Sequence, residues 1–217
     1  MHDAATRAPA RFRRRRGDAV AVVAGLAVLG AGMLVVRDGD VPQWEERLFG
    51  AINGLPDALY RPLWPFQQVG AIVVGPLVAV VALACLRPRL AVAALLATLA
   101  KLRLERVVKV MVVRFRPAVS VGSVRLRGDV NTLGQSFVSG HAVLVAALAG
   151  IVTPYLPGRW KVVPWVLAGL ALFTRVYVAA HLPLDVVCGA GLGLAIAGVL
   201  NLLFGVPTRT TSPRRTE

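Results

Sequence analysis

Three short segments of the chain carry side chains that suit the binding and cleavage of a phosphate ester. They are Lys109-x6-Arg116-Pro117, Ser139-Gly140-His141 and Arg175-x5-His181-x3-Asp185. Together they supply cations, two imidazoles, a hydroxyl and one carboxylate. Cations and backbone amides bind phosphate oxygens, and a histidine oriented by a carboxylate can attack phosphorus. These residue types predict a phosphate site with a histidine nucleophile.

The first segment supplies an ammonium and a guanidinium. Lys109 and Arg116 are seven residues apart, about two helical turns, so both are expected on one helix face. The helix is expected to end at Arg116, because a residue before proline disfavours the α conformation. Glu105, four residues before Lys109, is placed to pair with it. The two cations suit a phosphate dianion; the alternative is that both snorkel to the membrane interface.

The second segment lies at the expected start of a helix. Ser139 is a candidate N-cap, and Gly140 would let the backbone approach a ligand closely. A helix N-terminus offers unpaired amide donors to an anion. His141 would then act at the bound group. The alternative is an N-cap followed by an ordinary interfacial histidine.

The third segment joins two expected helices. Arg175 ends the first of them, and Pro183 suits the first turn of the second. If that turn is helical, the spacing brings Asp185 to the imidazole of His181. A carboxylate on one ring nitrogen fixes the tautomer and leaves the other nitrogen free as a nucleophile.

The composition indicates a membrane protein. The chain is 56% hydrophobic and only 17% charged, whereas soluble domains are about 25% charged. A helix of about 20 apolar residues spans a bilayer, and the chain has several such runs. The sequence therefore predicts an all-α, polytopic protein with six transmembrane helices. The expected helices are 19–36, 66–86, one that begins near Leu90, 141–157, 162–180 and 184–205, with an interfacial segment at 37–64 and a loop at 117–138.

The net charge of +14 has two sources. Basic residues lie in membrane-flanking loops and in the motif region, so nucleic-acid binding is not predicted despite the high pI. The positive-inside rule predicts that both termini are cytoplasmic and that the three motifs face outside at the cell membrane. The expected divisions are a basic tail (1–18), a six-helix domain (19–205) and a polar tail (206–217).

The order, spacing and types of the motif residues resemble the signature of the type 2 phosphatidic acid phosphatase family over residues 109–185. The resemblance implies a six-helix core with the site on the outer face and no metal or other cofactor. It implies that His181 forms a phosphohistidine, that Asp185 orients it, and that His141 protonates the leaving oxygen and then activates water. The groups implied to hold the phosphate are Lys109, Arg116, Arg175 and the backbone around Ser139 and Gly140.

Two positions depart from the family pattern. Val138 stands where proline is usual, and the loss of a fixed φ is expected to soften the phosphate loop. Thr174 replaces a usual serine and keeps the hydroxyl. Further cations at Arg114, Arg125 and Arg127 are expected to widen the anion site.

The sequence thus favours a metal-independent membrane phosphatase. Its expected substrate is a lipid-linked phosphate or diphosphate: a polyprenyl carrier, phosphatidic acid, phosphatidylglycerol phosphate or a polyprenyl-phosphosugar. Two alternatives stay open. The signature also resembles that of vanadium-dependent haloperoxidases, although those relatives are soluble. A transporter or scaffold that binds lipid phosphates would need the cations but neither His181 nor Asp185. The sequence leaves the oligomeric state open.

Overall fold

The computed structural model describes residues 12–128 and 130–208 and is mostly helical. The helices are α1 (Arg16–Val35), α2 (Gln43–Asn53), α3 (Tyr60–Val69), α4 (Val74–Ala84), α5 (Pro88–Met111), α6 (Pro117–Ser120), α7 (Gly140–Val152), α8 (Val163–Tyr177) and α9 (Pro183–Phe204). Two-residue strands, β1 (Phe12–Arg13) and β2 (Val206–Pro207), pair antiparallel. The parts of the predicted tails at 1–11 and 209–217 lie outside the described residues.

Helix α9 lies at the centre and packs against α1 and α7, with further contacts to α5. It is rich in small residues, which let neighbouring backbones approach closely. At Gly189, a Cβ atom would lie 2.7 Å from the carbonyl oxygen of Ser139. The backbone of the second motif therefore rests directly on α9.

Within the described residues, α1 and α9 are long and apolar enough to cross a membrane. Helix α1 exposes large apolar side chains such as Val23 and Leu34, as expected of a helix surrounded by lipid. The segment 57–69 and α4 form a bent pair that is a third candidate span. The protein is therefore a membrane protein, whereas six crossings remain a prediction.

The helix predicted over 66–86 is interrupted. Helix α3 ends before Gly70, and the segment 57–69 meets α4 at an angle of 65°. The two halves have different partners, because α3 packs on α8 whereas α4 packs on α5. Gly70 also abuts the second motif: a Cβ atom there would lie 2.7 Å from the Cβ and Cδ2 atoms of His141. The break thus makes room for a site residue.

Helix α5 ends at Met111, earlier than predicted. Val112 has extended backbone angles (φ −129°, ψ 106°), and Phe115 forms an isolated antiparallel bridge with Gln135. Arg116 therefore lies outside the helix. The prediction that it shares a helix face with Lys109 is wrong.

The predicted interfacial segment 37–64 contains α2. Glu45 and Phe49, one turn apart, are buried, whereas Trp44 and Glu46 are exposed. A carboxylate on the buried face of an amphipathic helix requires a partner inside the protein. The partner of Glu45 is Arg114, which lies between Lys109 and Arg116 of the first motif.

Candidate active site

Residues of all three motifs line one cavity of about 430 Å³. Its walls come from α3, α5, α7, α8 and the connecting segments. The lining residues are Gln67, Lys101, Glu105, Lys109, Arg116, Val130, Asn131, Gly140, His141, Arg175 and His181. The structure thus brings together six of the eight site residues predicted from the sequence. The other two, Ser139 and Asp185, are buried next to lining residues of their own motifs.

His181 lies between α8 and α9, and Asp185 lies in the first turn of α9. The backbone N–H of Leu182 donates to Asp185 Oδ2 at 2.8 Å, which fixes the carboxylate at the helix start. The distance from His181 Nδ1 to Asp185 Oδ2 is 3.7 Å, which is long for a direct hydrogen bond. His181 and Asp185 are therefore close together, as predicted, but they do not contact directly, and the hydroxyl of a third residue bridges them.

That third group is Ser136. Its hydroxyl donates to Asp185 Oδ2 and lies 3.3 Å from His181 Nδ1. We assign the Nδ1–H of His181 as donor to Ser136 Oγ, because the hydroxyl hydrogen is already used on Asp185. This arrangement leaves Nε2 with its lone pair. No sequence signal indicated this role apart from the position of Ser136 three residues before Ser139.

The pKa of His181 is lowered to about 4, mainly by burial. The carboxylate of Asp185 acts to raise this pKa, whereas the cations Arg175 and Arg116 act with burial to lower it. The imidazole is consequently neutral at pH 7. A neutral imidazole with a free Nε2 lone pair is the form that can act as a nucleophile.

Ser139 occupies the predicted N-cap position of α7, but its hydroxyl makes no capping bond. Its backbone N–H donates to the carbonyl oxygen of Asp185 at 3.0 Å. Its Oγ atom is buried and has no hydrogen-bond partner among the described residues. A backbone hydrogen bond therefore joins the second and third motifs, and the Ser139 hydroxyl stays free to bind a ligand.

Two guanidinium groups face the cavity. Arg116 Nη1 donates to the carbonyl oxygen of Ala180 at 3.0 Å, which anchors one edge of the group. Within the described part of the chain, the buried Nε atoms of Arg116 and Arg175 have no hydrogen-bond partner. Buried donors without partners are costly, so such groups normally serve a ligand or water.

Lys109 is held by Glu105, as its spacing predicted. The Nζ–Oε1 distance is 2.6 Å, and Lys101 Nζ approaches the other oxygen of Glu105 at 2.8 Å. Two successive i, i+4 ion pairs thus follow one face of α5, from Lys101 through Glu105 to Lys109. Lys101 brings a fourth cation to the cavity wall, and the sequence did not single it out as a site residue.

The expectation that Arg114, Arg125 and Arg127 widen the anion site is wrong, since none lines the cavity. Arg127 pairs with Asp57 and donates to three backbone carbonyl oxygens. Arg114 is fully buried and pairs with Glu45 and Asp185. Burial acts to lower the pKa of Arg114, but the two carboxylates outweigh it and raise that pKa above its usual value.

Sequence and structure comparisons place this site in a known family. The profile of the PAP2 superfamily matches residues 89–208, more than half of the chain. The chain belongs to the PAP2 superfamily. The resemblance read from the three motifs is thereby confirmed. The PAP2 match contains every predicted site residue, but it leaves Glu45 and Gln67 outside.

Two solved structures share the PAP2 fold seen here. LpxE of Aquifex aeolicus is similar with a TM-score of 0.61 and 25% identity, covering 70% of this chain and 93% of LpxE. The first transmembrane PAP2 type phosphatidylglycerolphosphate phosphatase of Bacillus subtilis is similar with a TM-score of 0.65 and 20% identity. That match covers 86% of this chain and 95% of the phosphatase. No curated protein sequence matches this chain.

Proposed function

We propose that the protein is an integral membrane phosphatase that hydrolyses a lipid-linked phosphate or diphosphate through a phosphohistidine. One observation carries the proposal: the three motifs converge on one cavity that holds a neutral histidine and buried guanidinium donors without partners. Donors fixed before the anion arrives are the arrangement that stabilises charge in phosphoryl transfer. Membership of the PAP2 superfamily and the similarity to a lipid phosphatase support it.

In the first step, Nε2 of His181 attacks phosphorus and forms an N–P bond. The P–O bond to the lipid breaks, and its electron pair stays on the lipid oxygen, which takes a proton from His141. This step needs His141 in its protonated form, which the negative charge of the bound phosphate favours. Positive charge develops on the imidazole of His181. Ser136 and Asp185, on the Nδ1 side of the ring, stabilise that charge.

In the second step, His141 accepts a proton from water, and the water oxygen attacks phosphorus. The N–P bond breaks, its electron pair returns to Nε2 of His181, and inorganic phosphate leaves. The phosphate oxygens are held in both steps by the cavity cations Lys109, Arg116 and Arg175 and by the backbone at Ser139 and Gly140. No step needs a metal ion.

The proposed topology follows the basic residues. Six membrane crossings in a domain over 19–205 place the basic tail 1–18 and the polar tail 206–217 in the cytoplasm. The active site then faces the outside of the cell membrane. The apolar outer surface of α1 supports its placement in lipid.

For the substrate, a polyprenyl monophosphate or diphosphate is slightly favoured. Among the described residues, four cations and one carboxylate line the cavity. Lys101 and Lys109 share Glu105, so a surplus of three positive charges remains, and a diphosphate carries more charge than one phosphate. Phosphatidic acid, phosphatidylglycerol phosphate and a polyprenyl-phosphosugar are the other candidates. The competing function is a membrane protein that binds lipid phosphates without cleaving them.

A substrate panel tests this proposal. The protein, purified in detergent with EDTA present, should release inorganic phosphate from at least one of these lipids, and vanadate should inhibit the release. The H181A variant, purified in parallel, controls for contaminating phosphatases. Tight binding of a lipid phosphate with no release from any member of the panel would support the non-catalytic alternative instead.

A further inference from the structure

The carboxylate of Asp185 is held by a buried guanidinium. Arg114 Nη1 donates to Asp185 Oδ1 at 2.9 Å and to Glu45 Oε1 at 3.2 Å, and Arg114 Nη2 pairs with Glu45 Oε2. All three side chains have an exposed fraction of 0%. A buried guanidinium that binds two carboxylates has a fixed orientation, because its planar fork is engaged on both sides.

Glu45 also reaches the helix that carries Asp185. The backbone N–H of Leu184, in the first turn of α9, donates to Glu45 Oε1 at 2.8 Å. A carboxylate at this end of a helix satisfies an otherwise unpaired amide and complements the helix dipole. One side chain on α2 therefore fixes both the guanidinium on Asp185 and the backbone beside it.

The charges of this cluster bear on His181. Two carboxylates against one guanidinium leave a net charge of −1 behind the imidazole. Among the described residues, the other charged or titratable groups that face this imidazole or line the same cavity are Arg175 from α8, Arg116 from the segment before α6, His141 from α7, and Lys101, Glu105 and Lys109 from α5. The two arginines oppose a positive charge on the ring. A negative charge behind the ring is therefore needed when His181 becomes cationic during attack.

We propose that Glu45 and Arg114 are positioning residues for the reaction: Arg114 aims the Asp185 carboxylate, and Glu45 offsets the Arg114 charge so that Asp185 stays available to His181. The inference rests on the proposed phosphatase function. Glu45 lies outside the PAP2 match at 89–208, so this part of the site comes from the N-terminal region of the chain.

The test substitution is Glu45→Gln, which keeps the shape and an oxygen for the Leu184 N–H but removes the charge. We expect kcat to fall about 10-fold, the lower end of the loss that is typical when an outer hydrogen-bond partner of a metal-binding histidine is removed. KM should be unchanged, because Glu45 does not line the cavity. The matched control is Glu46→Gln on the exposed face of α2, which should have the kcat of the unmodified protein.

The pH profile of kcat/KM separates this role from a structural one. His181 reacts as the neutral imidazole, so activity is present above its pKa and is lost as the pH falls through it. With Glu45 neutralised, the full charge of Arg114 acts against a proton on His181. The acid limb of the profile, the pH range in which kcat/KM falls as His181 becomes protonated, should therefore move to lower pH in E45Q. The ionisation of the substrate is the same in both proteins and cancels in the comparison.

Arg114→Lys provides a second, independent variant. Lysine keeps the charge, so the acid limb should stay in place, but a single ammonium cannot bind both carboxylates as the fork does. We expect a fall in kcat of similar size with KM unchanged. If E45Q does not yield folded protein, the kcat and KM of R114K test the proposed positioning role instead.

Each outcome is informative. An unchanged kcat and an unchanged acid limb in folded E45Q would overturn the inference, even if its thermal midpoint were lower. An unchanged kcat in R114K would do the same. No phosphate release by the unmodified protein would instead overturn the proposed function, so the two failures are distinguishable.

Discussion

Replacing His181 with alanine should lower the rate of phosphate release by at least about 1,000-fold, because the variant has no group to form the N–P bond. The remaining cations still bind the substrate, so the affinity for a lipid phosphate should change little. The measurement is phosphate release in detergent, together with lipid binding, for both proteins at equal concentration.

The same experiment needs evidence that H181A is folded. The imidazole is buried next to Ser136, and its loss leaves a small cavity there without an unpaired charge. A thermal midpoint and elution volume close to those of the unmodified protein show that the fold is intact. Turnover by folded H181A at the original rate would contradict the proposed mechanism.

Replacing His141 with alanine should have an effect that depends on the leaving group. A lipid alkoxide needs a proton to leave, so turnover of a lipid phosphate should fall by about 100-fold to 10,000-fold. The leaving group of p-nitrophenyl phosphate is a weak base and departs without a proton. The first step should therefore survive in H141A, whereas the second step, which needs a base for water, should be slow.

Rapid mixing with p-nitrophenyl phosphate measures this difference. H141A should give a burst of about one nitrophenolate per active site, followed by a slow steady state. H181A should give no burst. Equal losses of rate for the lipid and the aryl phosphate, with no burst in H141A, would show that His141 does not have the proposed acid and base roles.

The local parts of the site could be predicted from the sequence. The four-residue spacing from His181 to Asp185 spans the start of α9, and that spacing alone places the two side chains near each other. Glu105 and Lys109 are likewise one helical turn apart and pair as predicted. Such contacts join residues within one helix or at its start, and the geometry of so short a stretch is readable from spacing.

The contacts between distant segments could not be predicted. Glu45 joins the third motif from 139 residues away, measured to Leu184. Its burial depends on how α2 packs against the ends of α8 and α9, and hydropathy does not encode that arrangement. Ser136 was missed for a similar reason, because an ordinary loop serine gains its role only when α9 brings Asp185 beside it.

The first motif shows where helix periodicity fails. The sequence continues with helix-compatible spacing through Arg116, but the chain leaves the helix after Met111. The extended turn lets Arg114 reach the buried carboxylates while Arg116 faces the cavity. Tertiary pairing of the Arg114 guanidinium thus overrides a weak local preference for helix among β-branched residues.

Direct detection of the covalent intermediate tests the central claim, which is that His181 carries the phosphoryl group. The unmodified protein and H141A are mixed briefly with ³²P-labelled p-nitrophenyl phosphate, denatured in base and digested. The account predicts a base-stable, acid-labile label on the peptide that contains His181, with more label in H141A. Phosphate release without any such label, or a label on another residue, would contradict it.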